Sequence, residues 1–144
     1  MGSRTAIYTL AVLLFAGGVL AWFVMRTPPA NSSKAALTPE AKSYVKNLKL
    51  SEVSMKATES YVKQMVTEIE GKITNAGDRA VKQVDVYCIF YNSYNEVVLR
   101  ERVPIVKSAL QPGEMRPFRM PFDTIPGSWN NQMPQLVIAL IDFT

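Results

Sequence analysis

No histidine occurs in the 144 residues, and there is a single cysteine, Cys88. The first absence removes Ser–His and Cys–His nucleophile pairs, the usual general base near neutral pH, and the commonest zinc and haem ligand. The second leaves no internal disulfide and no Cys-x-x-Cys motif for redox, cluster or covalent-haem chemistry. A glycine-rich phosphate loop is also missing. The basic residues are scattered (Lys72, Arg79, Lys82, Arg100, Arg102, Lys107) without a dense run. A formal charge of +4 therefore suits an anionic membrane surface or an acidic partner subunit and falls short of a nucleic-acid signature. Glu68 and Glu70 would share one strand face and read as solvated carboxylates, not as a paired acid and base. The sequence thus predicts no enzyme, no cofactor or metal site, no nucleic-acid partner and no small-molecule substrate.

Charge is absent in a second sense from Thr5 to Met25, a run of uncharged, mostly apolar residues. As a helix it would be about 30 Å long, the thickness of a bilayer's hydrocarbon core. Arg4 and Arg26 bracket it, and Tyr8 and Trp22 stand where interfacial anchors belong. Gly17 and Gly18 in mid-span would let another helix approach closely. The run is longer than a signal-peptide core and ends in Trp22-Phe23-Val24-Met25-Arg26, which offers no small-x-small cleavage site. The expectation is a retained single-pass anchor over 5–26 behind a short tail, 1–4. Lys and Arg flank both ends, so charge does not decide orientation, but large C-terminal domains often cross regardless. We expect a bacterial inner-membrane protein with a cytoplasmic N-terminus and a periplasmic C-terminal domain.

Residues 27–47 begin with Thr27-Pro28-Pro29-Ala30-Asn31-Ser32-Ser33, the composition of a tether, and continue into a short helix. Thr38 suits an N-cap and Pro39 the first helical position, with Ala41, Tyr44, Val45 and Leu48 at helical spacing. From Leu48 the hydrophobic period changes to two. A first strand with imperfect alternation carries Leu50, Val53, Met55 and Ala57, and a second runs from Met65 through Ile73. Val81 to Tyr91 is the strongest, with Cys88 on the same face as Val84, Val86 and Phe90, as a small buried hydrophobe. Val97 to Val103 follows, and then Met115 to Phe122, whose Pro117 and Pro121 suit an edge. Leu136 to Phe143 is nearly continuous in apolar residues and reads as a central strand. Turn signals separate them at Asn75-Ala76-Gly77-Asp78, Asn92-Ser93-Tyr94-Asn95 and Gln111-Pro112-Gly113-Glu114. The expected fold is all-β: an immunoglobulin-like β-sandwich over 48–144, following one N-terminal transmembrane helix.

The stretch Ile69 to Asn75, the strand Val84 to Tyr91, the turn Leu110-Gln111-Pro112-Gly113-Glu114 and Phe118 together resemble the FxLYD type of domain found in bacterial membrane-anchored proteins. The resemblance covers residues 50–144 and fades over Asp123 to Asn131. Asn92 and Asn95 replace the Asp and Gly common in that pattern, which puts a cation site built on the aspartate in doubt. The motif residues otherwise read as scaffold: Gly71 as a bulge or close backbone approach, and Asn75 and Gly77 as turn residues with unusual backbone angles. Gly113 suits a type II turn, with Glu114 accepting a hydrogen bond from it.

Two functions fit. In the first, the chain is a non-catalytic accessory subunit of a larger inner-membrane complex, respiratory or photosynthetic. Its partners would be other membrane subunits and the bilayer. In the second, it is a free-standing anchored module binding a peptide, a glycan or the cell envelope. Tyr94, Trp129 and Asn130, with Tyr91, are the candidate contact residues, Trp129 serving equally as a lid on the sandwich end.

Overall fold

The computed structural model describes residues 37–59, 62 and 64–144. The predicted anchor, with Tyr8, Gly17, Gly18, Trp22 and Arg26, lies outside them, as does most of the tether. Among the described residues, no helix is long and apolar enough to cross a membrane.

The helix start behaves as its residues dictate. Thr38 Oγ1 accepts the Ala41 N–H at 3.1 Å, and Pro39 opens helix α1 (Pro39–Tyr44). A 3-10 turn (Val45–Asn47) tightens the end of the helix and leads into the strands. The strands are β1 (Leu48–Glu59), β2 (Met65–Asn75), β3 (Val81–Tyr91), β4 (Val97–Val106), β5 (Met115–Phe122) and β6 (Gln135–Phe143). They form two antiparallel three-stranded sheets, ordered β1-β2-β5 and β4-β3-β6.

The irregular alternation of β1 has a local cause. Its register on β2 slips between Ser51 and Ser54, where Glu52 takes a left-handed φ of 51°. The bulge lets Leu50, Val53 and Met55 all pack toward the core in spite of their uneven spacing. β5 is an edge strand, as its prolines indicated. β6 is a correction: it pairs with β3 alone and so lies at an edge, and β3 is the central strand of its sheet. Its apolar run reflects two half-buried faces instead of full burial. A shift between Asp85 and Val86 in the β3 pairing leaves Ala139 as an extra residue, with Val137 on the outer side.

One core joins the two inner faces, built from Ile69, Ile73, Val84, Val86, Phe90, Leu110 and Met120 among others. Cys88 is fully buried with its Sγ 3.6 Å from Met120 Sδ, and burial pushes its thiol up to about 12. It is a packing residue, as its strand face implied.

Asn75 is the buried polar hub. Its Nδ2 donates to the Arg79 carbonyl at 2.7 Å and the Leu110 carbonyl at 3.1 Å, while Oδ1 accepts from Gly77 N–H at 3.2 Å. Tyr44 of α1 reaches over the same turn, so the helix lies against the β-domain. Gly77 is required for a reason other than backbone angle, since its φ is not in the left-handed region. A Cβ there would stand 2.2 Å from the Tyr44 hydroxyl. Gly71 likewise admits Phe118, whose ring would come within 2.6 Å of an added Cβ. Gly113 does adopt φ 79°, and Glu114 Oε2 accepts the Gln111 N–H at 2.8 Å, closing the expected turn.

Candidate functional site

Strand direction decides what meets at each end of the two sheets. One end holds α1, the β2–β3 turn and the β4–β5 connection. The other holds the β1–β2 hairpin, the β3–β4 hairpin and the long β5–β6 connection. This second end is unusually apolar. Val62, Met65, Tyr94, Val97 and Met133 all lie there and are exposed, Met65 by 61% and Tyr94 by 84%.

Met65 alternates with Thr67 and Ile69, so it belongs to the inner face of its sheet, yet it is exposed. The last rungs of the β1–β2 hairpin thus present core-type side chains to an open space. The result is a groove of about 410 Å³, walled by Met55, Met65, Phe122, Ile125, Pro126 and Trp129. That volume is within the range of ordinary ligand sites.

The far wall is a loop held by backbone contacts. Asn92 and Trp129 form an isolated β-bridge, and the Asn130 N–H donates to the Tyr91 carbonyl at 3.0 Å. Asn130 Oδ1 accepts from Gln132 N–H at 3.0 Å, so this residue clamps the loop. Trp129 stacks edge-on against Phe90 with centroids 5.6 Å apart, and Phe90 in turn meets Phe122 at 5.0 Å. Its indole N–H donates to the Gln132 carbonyl at 3.2 Å. Trp129 is therefore both lid and groove wall.

Tyr94 sits at the tip of the β3–β4 hairpin at the same end, without lining the groove. Asn92 Oδ1 accepts the Tyr94 and Glu96 N–H groups at 2.9 Å each, and Asn95 takes φ 61°. Tyr91 points the other way and donates its hydroxyl proton to Gln135 Oε1 at 2.8 Å.

Many of the titratable groups elsewhere are paired. Glu68 pairs with Arg119, whose guanidinium hydrogen bond holds the carboxyl below its usual range. Glu70 meets Lys56 at 2.5 Å and Glu52 meets Lys72 at 2.7 Å, so the outer face of the first sheet is a ladder of ion pairs. Glu114 is lowered first by the Gln111 N–H and then by Arg116. Asp85 and Arg102 pair at 2.8 Å on the outer face of the second sheet, each side chain only 8% exposed. Among the described residues, no group of three or more His, Cys, Asp or Glu could hold a metal ion. The groove can exclude water and grip apolar surface. Among the described residues, Asp123 is the sole charged one that lines it.

Sequence reasoning brought out Trp129 and missed Met55, Met65, Phe122, Ile125 and Pro126. Their apolar character suits a core equally well, and only the uncovered end of the hairpin separates the two roles.

No family model matches the chain, and no curated protein matches it. A solved structure described as the X-ray structure of Northeast Structural Genomics Consortium target SoR45 is similar at 12% sequence identity, with a TM-score of 0.44. The match covers 67% of this chain and 84% of that one.

Proposed function

We propose that this chain is a single-pass, membrane-anchored accessory subunit whose extracytoplasmic β-domain works by contact and not by catalysis. The domain would be an immunoglobulin-like sandwich of the FxLYD type. The strand order supports that reading: taking β1 to β6 as strands A, B, C, C′, E and F, one sheet reads A-B-E and the other C′-C-F. The chain changes sheets between β2 and β3, between β4 and β5, and between β5 and β6, as that arrangement requires.

The observation that carries the function is the apolar end. An exposed cluster of core-type side chains around a groove is an unfavourable surface for a free monomer, and such patches mark interaction sites. Its position opposite α1 places it away from the point where the tether enters the domain. The companion subunits would be membrane proteins, met above the bilayer by this end and within it by the Gly17–Gly18 face of the anchor.

Purification in mild detergent by a tag after Thr144 tests the reading. The expected result is stoichiometric co-purification of other membrane subunits, lost in Met65→Glu. Recovery of a lone monomer from fresh membranes would overturn it.

A further inference from the structure

Net charge conceals a local imbalance. The chain carries +4 overall, but the apolar end has Glu59 as the last residue of β1 and Glu96 and Asp123 in its connections, against Lys63 as the single basic residue of those connections. All three acids are exposed, and none has a cationic partner among the described residues. Elsewhere in the domain Asp78 and Glu101 also lack an ion pair among the described residues, and the remaining acids are paired. Glu40, Glu52, Glu68, Glu70, Asp85, Glu114 and Asp142 each face a Lys or Arg within ion-pair distance. Glu96 accepts from Asn92 Nδ2 at 2.7 Å and Asp123 from Thr124 Oγ1 at 3.0 Å, but neutral donors leave the charge uncompensated. Carboxylates without a cation around an apolar depression are complementary to an apolar segment flanked by Lys or Arg.

We infer that the groove is a docking site for a basic, apolar segment of a partner protein. This rests on the contact role proposed above and names the chemistry of what is contacted. Leu or Phe side chains of the segment would enter between Met55, Met65 and Trp129. Methionine suits this role, because its unbranched thioether adapts to different apolar shapes. The flanking cations would meet Asp123 at the groove and Glu59 and Glu96 on the two hairpins. These exposed charges would set orientation and encounter rate more than total affinity, so the interaction should weaken as salt is raised. The backbone clamps at Asn130 and Trp129 mean that the loop wall stands ready before the segment arrives, which reduces the ordering cost of binding.

The test uses the full chain carrying Trp22→Phe, reconstituted in phosphatidylcholine vesicles, so that Trp129 is the chain's sole tryptophan. A synthetic peptide with a Leu-Phe-Leu centre and Lys flanks is titrated in, with a Glu-flanked peptide of the same centre as control and empty vesicles as blank. The expected result is saturable binding of the Lys peptide, read as a shift in Trp129 emission and weakened by salt. Combined Glu59→Gln, Glu96→Gln and Asp123→Asn should weaken it about tenfold, as three exposed charge contacts would. Because all three sites are exposed, the domain should stay folded. Equal binding of the Glu peptide, no loss on neutralisation, or no binding of either peptide would each overturn the inference. The co-purification result for Met65→Glu stands independently of these outcomes, so failure here is distinguishable from failure of the accessory-subunit reading.

Discussion

The Tyr44 hydroxyl lies 2.9 Å from Asn75 Oδ1, joining a helix and a strand end that are 31 residues apart in sequence. The same oxygen accepts the Arg79 N–H at 3.0 Å and lies 2.9 Å from the Arg79 carbonyl, so a single phenol closes the β2–β3 turn from above. Both Tyr44 and Asn75 are buried, which makes every one of these bonds hard to replace with water.

Tyr44→Phe removes the hydroxyl and leaves the Arg79 N–H without its partner. We expect a loss of about 1–2 kcal/mol and a fall of several degrees in Tm, followed by circular dichroism on the full chain. Asn75→Leu should be worse, because it leaves the Gly77 N–H without an acceptor and takes one donor from each of the Arg79 and Leu110 carbonyls. A Tyr44→Phe variant as stable as wild type would show that the turn does not depend on the phenol.

Gly77→Ala should destabilise for a steric reason, its Cβ meeting the Tyr44 hydroxyl at 2.2 Å. Combining it with Tyr44→Ala, which vacates that space, should cost less than the sum of the two single losses measured by thermal unfolding. Strict additivity would mean that the clash had been relieved elsewhere.

The Cys88 thiol gives a pH dependence whose sign is fixed by burial. An unfolded thiol ionises near 9.0, whereas the folded one is held neutral up to about 12. Above pH 9 the unfolded state loses a proton that the folded state keeps, so this contribution to stability declines from there to pH 12. Denaturant titrations should show that decline in wild type and not in Cys88→Ala. In the native protein at pH 8, maleimide should fail to label Cys88 until denaturant is added.

Topology is tested at the β3–β4 hairpin. With Cys88 replaced by Ala, cysteines placed singly at Ser32 and at Ser93, which is exposed beside Tyr94, should react with an impermeant maleimide in cells whose outer membrane is permeabilised. Protection at both until lysis would put the β-domain in the cytoplasm.

Much of the frame was legible from local chemistry. β3 and β5 span the expected residues, and Thr38 and Pro39 start their helix as capping physics requires. The irregular first strand resolved into a bulge at Glu52, a feature that a period-two pattern registers only as noise. The misplacement of β6 has a related origin. A continuous apolar run signals burial on both faces, but edge or centre depends on whether another strand pairs alongside, which periodicity does not encode.

The site was legible only in Trp129. Asn130 holds the loop through Gln132 and Tyr94 stands exposed beside the groove, and a polar or aromatic loop residue looks the same in sequence whichever of these it does. The walls from Met55 and Met65 were invisible for the opposite reason: they are inner-face residues of an ordinary strand pattern, Met55 half-buried and Met65 exposed. Asn75 was read as a turn former, and its four-way buried bonding emerged only when α1 and the β4–β5 connection were seen to converge on it.

The helix-and-asparagine network and the methionine-walled groove stand at opposite ends of β2, whose 11 residues span about 35 Å. Sites that far apart share no neighbours, so changes at one should leave the free energies of the other untouched. The groove walls can therefore vary while the network that braces α1 against the β2–β3 turn is kept. Groove and foundation are separately tunable within one small domain.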